Sequence, residues 1–211
     1  MYKHFFKRFL DIILSGIALI VLSPILLIIY ILVRIYLGKP ALFSQERVGK
    51  NEKIFKMYKF RSMTDARDER GNLLPENQRT PKFGALLRSL SLDELPELWL
   101  ILTGKMSIVG PRPMPVYYLP YYVGDERKRH NVRGGLVSPE TLSHKVSTTY
   151  EEQFDYEVKY TDNISFVQDC KIIWATFVIL YNRMVKKHGG QFRPHLNVYR
   201  AYLDKEDLKA K

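Results

Sequence analysis

The most pronounced pattern in the chain is an uncharged apolar run near the N-terminus. Residues 12–33 are 22 positions without a charge, which as a helix is long enough to cross a hydrocarbon core of about 30 Å. Basic residues flank the run, with Lys7 and Arg8 before it and Arg34 and Lys39 after it. The run predicts a membrane-embedded helix with a basic anchor at each end.

The sequence of this run leaves its topology open. A signal peptide fits poorly, because its apolar region is usually ~7–15 residues long and ends at a small-residue cleavage site. Ser23 and Pro24 lie at the middle of the run, where a proline removes a backbone hydrogen bond and bends a helix. Positive charge at both ends gives no clear orientation. Two alternatives remain: a helix that spans the bilayer, and a bent re-entrant helix with both ends on one face.

The pattern after the apolar run changes to short alternating segments. Two β-like runs, 41–48 and 53–60, are separated by a turn signal at 49–52, and this arrangement predicts a β-hairpin. The polar stretch 65–82 contains glycine, asparagine and proline, so a long loop is expected there.

Helical spacing of apolar residues returns after this loop. It predicts a short helix over 82–90, with Arg88 on its polar side, and a second helix over about 94–103. Four prolines within 107–120 exclude a single helix over that stretch. Further along, 166–187 has the pattern of an amphipathic helix whose aromatic residues lie beside a basic end. Such a helix suits the surface of an anionic membrane, although an ordinary core helix with a solvated basic end shows the same pattern.

These elements predict a mainly α-helical fold with a small β-hairpin. We expect the membrane helix to occupy 1–36, a compact domain with amphipathic surface helices to occupy 37–190, and a tail to follow over 191–211. The chain carries 33 lysines and arginines against 22 aspartates and glutamates, a formal net charge of +11. This excess points to an anionic partner, namely nucleic acid, anionic lipid or a phosphorylated ligand.

Several classes of protein are excluded by what the sequence lacks. The single cysteine, Cys170, cannot form an internal disulfide framework. No zinc-ligand set, P-loop or nucleophile elbow is present. The basic residues do not follow a recognisable nucleic-acid-binding module, so no nucleic-acid partner is expected.

The adjacent carboxylates Asp93 and Glu94 are the strongest candidates for chemistry. Because Pro96 is tolerated only in the first turn of a helix, the helix is expected to begin near Asp93. Asp93 could then simply be an N-cap, and Ser91 to Glu94 matches a capping box. Alternatively, the pair could bind Mg²⁺ together with substrate phosphates, and the aspartate could attack phosphorus.

Three cations are candidates for holding phosphate. Arg112 lies between Pro111 and Pro113, which fix the backbone and favour a pre-organised phosphate clamp. Lys59 and Arg61 end the second β-like run. The alternatives are a surface arginine in a proline-rich turn and a solvated strand face.

Six motifs occur in an order that resembles a known family. They are Lys7-Arg8-x-x-Asp11, the apolar helix with Ser23-Pro24, Phe43-Ser44-Gln45-x-Arg47-x-Gly49, Tyr58-Lys59-Phe60-Arg61-Ser62-Met63, Leu87-Arg88-Ser89-Leu90-Ser91-Leu92-Asp93-Glu94-Leu95-Pro96 and Met106-Ser107-Ile108-Val109-Gly110-Pro111-Arg112-Pro113. The resemblance resumes at 156–171 with Ser165-Phe166-x-x-Asp169. Together they resemble the small monotopic polyprenyl-phosphate phosphoglycosyl transferases of the bacterial sugar transferase family.

The resemblance implies an enzyme that transfers a sugar 1-phosphate from a UDP-sugar to undecaprenyl phosphate and releases UMP. Asp93 would be the nucleophile, and Glu94 would help to bind Mg²⁺ with Asp93 or assist the lipid phosphate. Lys59 and Arg112 would hold phosphates, with the family positions Arg61, Arg88 and Asp169 in the same substrate-binding group. The resemblance also favours the re-entrant helix, at the cytoplasmic face of the bacterial inner membrane.

One stretch departs from the family pattern. Similar proteins usually read Arg-Pro-Gly-Ile-Thr-Gly-x-x-Gln where residues 133–141 of this chain read Arg-Gly-Gly-Leu-Val-Ser-Pro-Glu-Thr. This difference leaves the sugar undefined, and it favours an alternative function as a non-catalytic membrane scaffold for a glycan-assembly complex. A third alternative, a basic protein that only binds anionic lipid or nucleic acid, gives no reason for the Asp93-Glu94 pair. Later glycosyltransferases of the same pathway are candidate partners.

Overall fold

One long helix, α1 (Lys7–Tyr36), forms the N-terminal part of the protein and follows a short π-helical turn, Tyr2–Phe6. The computed structural model describes residues 2–145, 147–186 and 193–202. Among these residues α1 is the helix that is long and apolar enough to cross a membrane, with a mean hydropathy of 2.9 in its most apolar window. Most of its side chains are exposed to the surroundings, which is consistent with membrane association.

The helix continues through the Ser23-Pro24 step. Pro24 has no N–H to donate to the carbonyl of Ile20, four residues earlier. The hydroxyl of Ser23 donates to that carbonyl oxygen at 2.8 Å. The serine therefore satisfies the acceptor that the proline leaves free.

The predicted β-hairpin is confirmed. Strands β1 (Leu42–Val48) and β2 (Ile54–Phe60) pair antiparallel, with Leu42 opposite Phe60 and Val48 opposite Ile54. Along β2 the side chains alternate, so that Phe55 and Met57 are buried. Lys59 shares their face, and this register directs it to the same side of the sheet as the buried residues.

The polar stretch after the hairpin contains one short helix, α2 (Glu76–Arg79), that the sequence pattern did not predict. The next helix, α3 (Lys82–Ser89), matches the prediction for 82–90. Gly84 of α3 lies against the backbone of Ser62, and a Cβ at this glycine would be 1.9 Å from the Ser62 carbonyl oxygen. The glycine therefore permits the close approach of α3 to the end of the hairpin.

The start predicted for the following helix is wrong. Helix α4 is Glu97–Leu102, with Pro96 as its N-cap residue, and a separate 3₁₀ turn covers Leu92–Glu94. Ser91 precedes this turn with a left-handed φ of 54°, and no side chain caps either element. Asp93 is therefore not an N-cap: its backbone belongs to the tight turn before the helix.

The region after α4 is held by a small parallel pair that the sequence pattern missed. Strands β3 (Ser107–Val109) and β4 (Gly135–Val137) are only three residues each, too short for a hydrophobic alternation to be recognised. Between them lie 3₁₀ segments at Val116–Tyr121 and Gly124–Asn131. The prediction that no single helix covers 107–120 is confirmed.

Three helices complete the described chain. They are α5 (Tyr150–Asp162), α6 (Phe166–Lys186) and α7 (Leu196–Tyr199). Helix α5 was missed, although the side chain of Thr149 caps it by accepting from the N–H of Glu152. Helix α6 confirms the amphipathic prediction, but Lys187 and His188 of its predicted basic end lie outside the described residues.

One face of α1 packs along the rest of the protein over nearly its whole length. In its N-terminal half, Ala18 and Leu19 contact the buried cluster around Ile101 and Met106. In its C-terminal half, Val33 is buried with other α1 residues, Phe60 and Leu87. Both halves of the apolar helix therefore rest on the same domain.

The described part of the predicted tail also packs on this domain. Leu196 is fully buried, and the guanidinium of Arg200 donates to Glu126 at 2.6 and 2.9 Å and to Glu151 at 3.0 Å. Residues 193–202 thus lie against the 3₁₀ segment at Gly124–Asn131 and against α5.

Candidate active site

The centre of the site is the carboxylate of Glu94. Its Oε1 accepts from Lys59 Nζ at 2.5 Å and from Arg112 Nη2 at 2.8 Å. The three residues come from the 3₁₀ turn, from β2 and from the proline-flanked segment after β3. The structure therefore brings together three residues that the sequence predicted separately.

The two cations determine the charge state of Glu94. Burial alone would raise the pKa of this carboxyl, but the charges of Arg112 and Lys59 outweigh burial and lower the pKa to about 2. Glu94 is thus a carboxylate at every physiological pH. The negative charge of Glu94 in turn raises the pKa of Arg112.

The neighbouring Asp93 has a different environment. Burial and the charge of Glu94 raise the pKa of Asp93, while Lys59 and Arg88 act against that rise. A carboxylate that is less stabilised by cations is a stronger base and a better nucleophile than one held as Glu94 is. The two adjacent carboxyls are therefore chemically distinct.

Glu97 is a site residue that the sequence analysis missed. Its side chain is 4% exposed, and Oε1 lies 3.3 Å from Lys59 Nζ. Burial raises the pKa of Glu97 to about 7, with Lys59 opposing and Glu94 adding to the shift. Its position three residues after Glu94, at the start of a helix, was the available signal, because residues at that spacing share a face.

A cleft opens beside this group of charges. It is lined by side chains from both strands of the hairpin, from α4 and from the β3 and β4 region, namely Arg47, Met57, Lys59, Glu97, Arg112, Pro113 and Gly135. Cations therefore predominate in the lining. Such a cleft suits an anionic ligand.

A buried ion pair between Arg129 and Glu157 fixes the backbone of Arg112. The N–H of Arg112 donates to Glu157 Oε1 at 2.9 Å, and its carbonyl accepts from Arg129 Nη2 at 2.5 Å. Arg129 Nε donates to Glu157 Oε2 at 2.6 Å, and the two side chains are 1% and 0% exposed. Because both partners also bind the peptide of Arg112, the pair determines where that guanidinium is presented.

The loop that departs from the family pattern joins the same network. Ser138 Oγ lies 3.3 Å from Glu157 Oε1 and also donates to Glu140. Burial and the charge of Glu157 raise the pKa of Glu140 to about 7. The loop 133–141 therefore approaches the same glutamate that binds the backbone of Arg112.

The other predicted substrate residues have different partners. Arg88 is 3.5 Å from Glu76 and acts on Asp93 only through its charge. Arg61 donates to the carbonyl of Met63 and the carboxylate of Asp65 in its own loop, and to the carbonyl of Lys39 before β1.

Asp169 lies outside the site and is buried beneath the N-terminus. It accepts from Lys7 at 2.7 Å, from Tyr2 at 2.6 Å and from Tyr160 at 2.7 Å. Arg8 donates to the carbonyls of Ile101 and Leu102 at the end of α4. The predicted anchor residues Lys7 and Arg8 thus attach α1 to the domain.

The protein thus has a cationic cleft beside a carboxylate pair, and its N-terminal helix is consistent with membrane association. The bacterial sugar transferase family model matches residues 2–183. The chain therefore belongs to the bacterial sugar transferase family, and the resemblance seen in its motifs is confirmed.

The most informative relatives differ in length. The chain is 42% identical over 170 residues to the sugar transferase EpsL of Bacillus subtilis, a match that covers 81% of this chain and 84% of that protein. It is 37% identical over 181 residues to the UDP-glucose:undecaprenyl-phosphate glucose-1-phosphate transferase of Klebsiella pneumoniae, covering 81% of this chain and 39% of that protein. It is 36% identical to the exopolysaccharide production protein PSS of Rhizobium leguminosarum, covering 93% of that protein. The chain thus spans most of two relatives and less than half of the third.

Proposed function

We propose that this transferase moves a sugar 1-phosphate from a UDP-sugar to undecaprenyl phosphate and releases UMP. The observation that carries the proposal is the Asp93-Glu94 pair set among Lys59, Arg88 and Arg112, since a carboxylate can approach a diphosphate only where cations offset the repulsion. The Klebsiella relative, a UDP-glucose:undecaprenyl-phosphate glucose-1-phosphate transferase, supports the same reaction.

In the first step, a carboxylate oxygen of Asp93 attacks the β-phosphorus of the UDP-sugar. A bond forms between that oxygen and phosphorus, and the bond from phosphorus to the bridging oxygen breaks. The electron pair leaves with UMP, and the sugar phosphate remains on Asp93 as an acyl phosphate. Lys59 and Arg112 hold the phosphate oxygens, and Glu94 keeps both cations in position.

In the second step, an oxygen of undecaprenyl phosphate attacks the same phosphorus and restores the Asp93 carboxylate. The product is a lipid-linked diphosphate sugar, which later glycosyltransferases of a polysaccharide or glycoconjugate pathway would extend. The scaffold alternative retains one specific argument, the altered loop 133–141.

The residues present fit a Mg²⁺ ion that the protein would bind together with the substrate phosphates. The described residues contain no group of three or more histidine, cysteine, aspartate or glutamate side chains that could hold a metal ion. Mg²⁺ is commonly bound by one or two carboxylates together with substrate phosphates, so Asp93 and Glu94 would supply the protein ligands. When bound, the ion would neutralise charge on the diphosphate.

The packing of α1 supports the re-entrant arrangement. A helix that crosses the bilayer carries its two ends to opposite faces, separated by about 30 Å of hydrocarbon. Here Arg8 near one end and Val33 near the other both contact the same domain. We therefore place both ends at the cytoplasmic face, where a soluble nucleotide sugar and a lipid phosphate can meet.

The exposed face of α6 extends this membrane surface. Its large apolar side chains are spaced along one side of the helix and are more than half exposed: Phe166, Val167, Trp174, Phe177 and Tyr181. Phe166 touches the ring of Tyr2 at the start of the membrane helix, with centroids 5.8 Å apart. We place this face against anionic lipid in the plane of the interface.

The test is UMP release by purified protein with Mg²⁺, undecaprenyl phosphate and a panel of UDP-sugars. Asp93→Asn keeps the size of the side chain but removes the nucleophilic carboxylate, so we expect no UMP release and no phosphosugar adduct. The matched control is Asp162→Asn, at the exposed end of α5, which should behave as wild type. Equal activity of Asp93→Asn and wild type would exclude the covalent route, and inactivity with every sugar would favour the scaffold.

A further inference from the structure

Arg47 is a cation of the cleft that has no carboxylate partner in the described part of the chain. Lys59 and Arg112 both pair with Glu94. Among the described residues, no carboxylate lies within 4.0 Å of Arg47, which donates instead to Gln45 Oε1 at 2.7 Å and weakly to the Pro113 carbonyl at 3.4 Å. Its buried Nε has no hydrogen-bond partner among these residues. Burying a charge and a donor in this way is unfavourable unless a ligand completes the site.

The backbone holds Arg47 in place before any ligand arrives. It lies on β1 opposite Phe55 and forms an isolated bridge with Pro115. Burial and the nearby charge of Arg112 lower its pKa, yet an arginine keeps its charge in proteins. A guanidinium with free donors on a rigid strand is suited to bind phosphate.

The place of Arg47 in the cleft indicates which phosphate it meets. Arg47 lines the cleft together with Lys59, Glu97 and Arg112, whereas Asp93 is not among the residues that line it. A phosphate held by Arg47 in this cleft therefore lies apart from the one that Asp93 contacts.

Phosphoryl transfer places the attacking and leaving oxygens roughly in line. If Asp93 attacks the β-phosphorus, the leaving α-phosphate lies on the side opposite Asp93. We propose that Arg47 binds the α-phosphate of the nucleotide and stabilises the charge that UMP gains as it leaves. This inference rests on the proposed function and adds a subsite to it.

The experiment compares ligands that differ only in that phosphate. UMP and uridine are titrated against wild type, Arg47→Gln and Arg47→Lys, by calorimetry for UMP and ligand-detected NMR for uridine. Lys56→Gln is the control, because Lys56 is exposed on the opposite face of the hairpin. We expect Arg47→Gln to weaken UMP binding about 10- to 100-fold, the range for a lost charge-assisted hydrogen bond, and to leave uridine binding unchanged. Arg47→Lys keeps the positive charge but lacks the paired N–H donors of a guanidinium, so it should give an intermediate loss of UMP affinity.

Unchanged UMP affinity in Arg47→Gln would overturn the inference, as would an equal loss for UMP and uridine. A third titration with a short-chain polyprenyl phosphate separates the two sources of phosphate, and a loss confined to that lipid would also overturn it. If Arg47→Gln melts far below wild type, Arg47→Lys carries the same comparison. Failure of wild type to bind UMP would refute the proposed function and this subsite together, so the two failures are distinguishable.

Discussion

The sharpest stability prediction concerns the carboxylate of Glu157. This fully buried group accepts from three donors: Arg129 Nε at 2.6 Å, the Arg112 N–H at 2.9 Å and Gln153 Nε2 at 3.0 Å. Glu157→Gln keeps the shape but removes the ion-pair partner of Arg129, which is itself 1% exposed. Removing one member of a buried pair costs about 3–5 kcal/mol of unfolding free energy.

The magnitude can be converted to a melting temperature. For a chain of about 200 residues, 1 kcal/mol shifts the melting temperature by about 2–4 °C, so we expect a loss of about 6–20 °C. The assay is thermal unfolding of detergent-solubilised protein, followed by circular dichroism. Asp155→Asn is the control, because Asp155 forms an exposed pair with Lys159 on the same helix and such pairs contribute little.

Glu157→Gln should also affect turnover. Its backbone contact positions Arg112, so kcat is expected to fall even at temperatures where the variant stays folded. A melting temperature within about 2 °C of wild type would show that Arg129 finds other compensation, and would refute the electrostatic reasoning.

Two further predictions follow from single positions. The pKa of Glu97 is raised to about 7 from the ordinary 4.5, so its contribution to stability is fully present below pH 4.5 and is lost as pH rises through 7. In urea unfolding from pH 5 to 8, the free energy of unfolding should therefore decline more steeply for wild type than for Glu97→Gln. Equal slopes would contradict the assignment. Gly84→Ala must displace the backbone of Ser62 and should cost about 1–3 kcal/mol in the same assay. Gly16→Ala, whose Cβ would meet only Leu102 at 3.8 Å, should be tolerated.

The sequence predicted the elements whose signals are local. The long apolar run, the hairpin with its turn and the amphipathic pattern of α6 each lie within one continuous window, where periodicity and turn residues act. The site residues Lys59, Glu94 and Arg112 were also found from local motifs. Their convergence on one carboxylate oxygen could not be predicted, because it depends on the packing of three separate segments.

The features that the sequence pattern missed depend on distant contacts. Glu157 and Arg129 are 28 positions apart. A short stretch of sequence around either residue predicts only an exposed charge. The start of α4 was wrong because Ser91 takes a left-handed conformation, which ends α3 and places Asp93 in a 3₁₀ turn. The tertiary arrangement of the turn therefore overrides the local preference of Asp93 for an N-cap position.

The residues Lys7 and Arg8 show how helix α1 is connected to the candidate site. Arg8 of α1 binds the carbonyls of Ile101 and Leu102 at the end of α4, and Glu97 at the beginning of α4 contacts Lys59 of the site. Helix α4 is six residues long, or about 9 Å at 1.5 Å per residue. One rigid element thus joins α1 to Lys59, one of the two cations that bind Glu94.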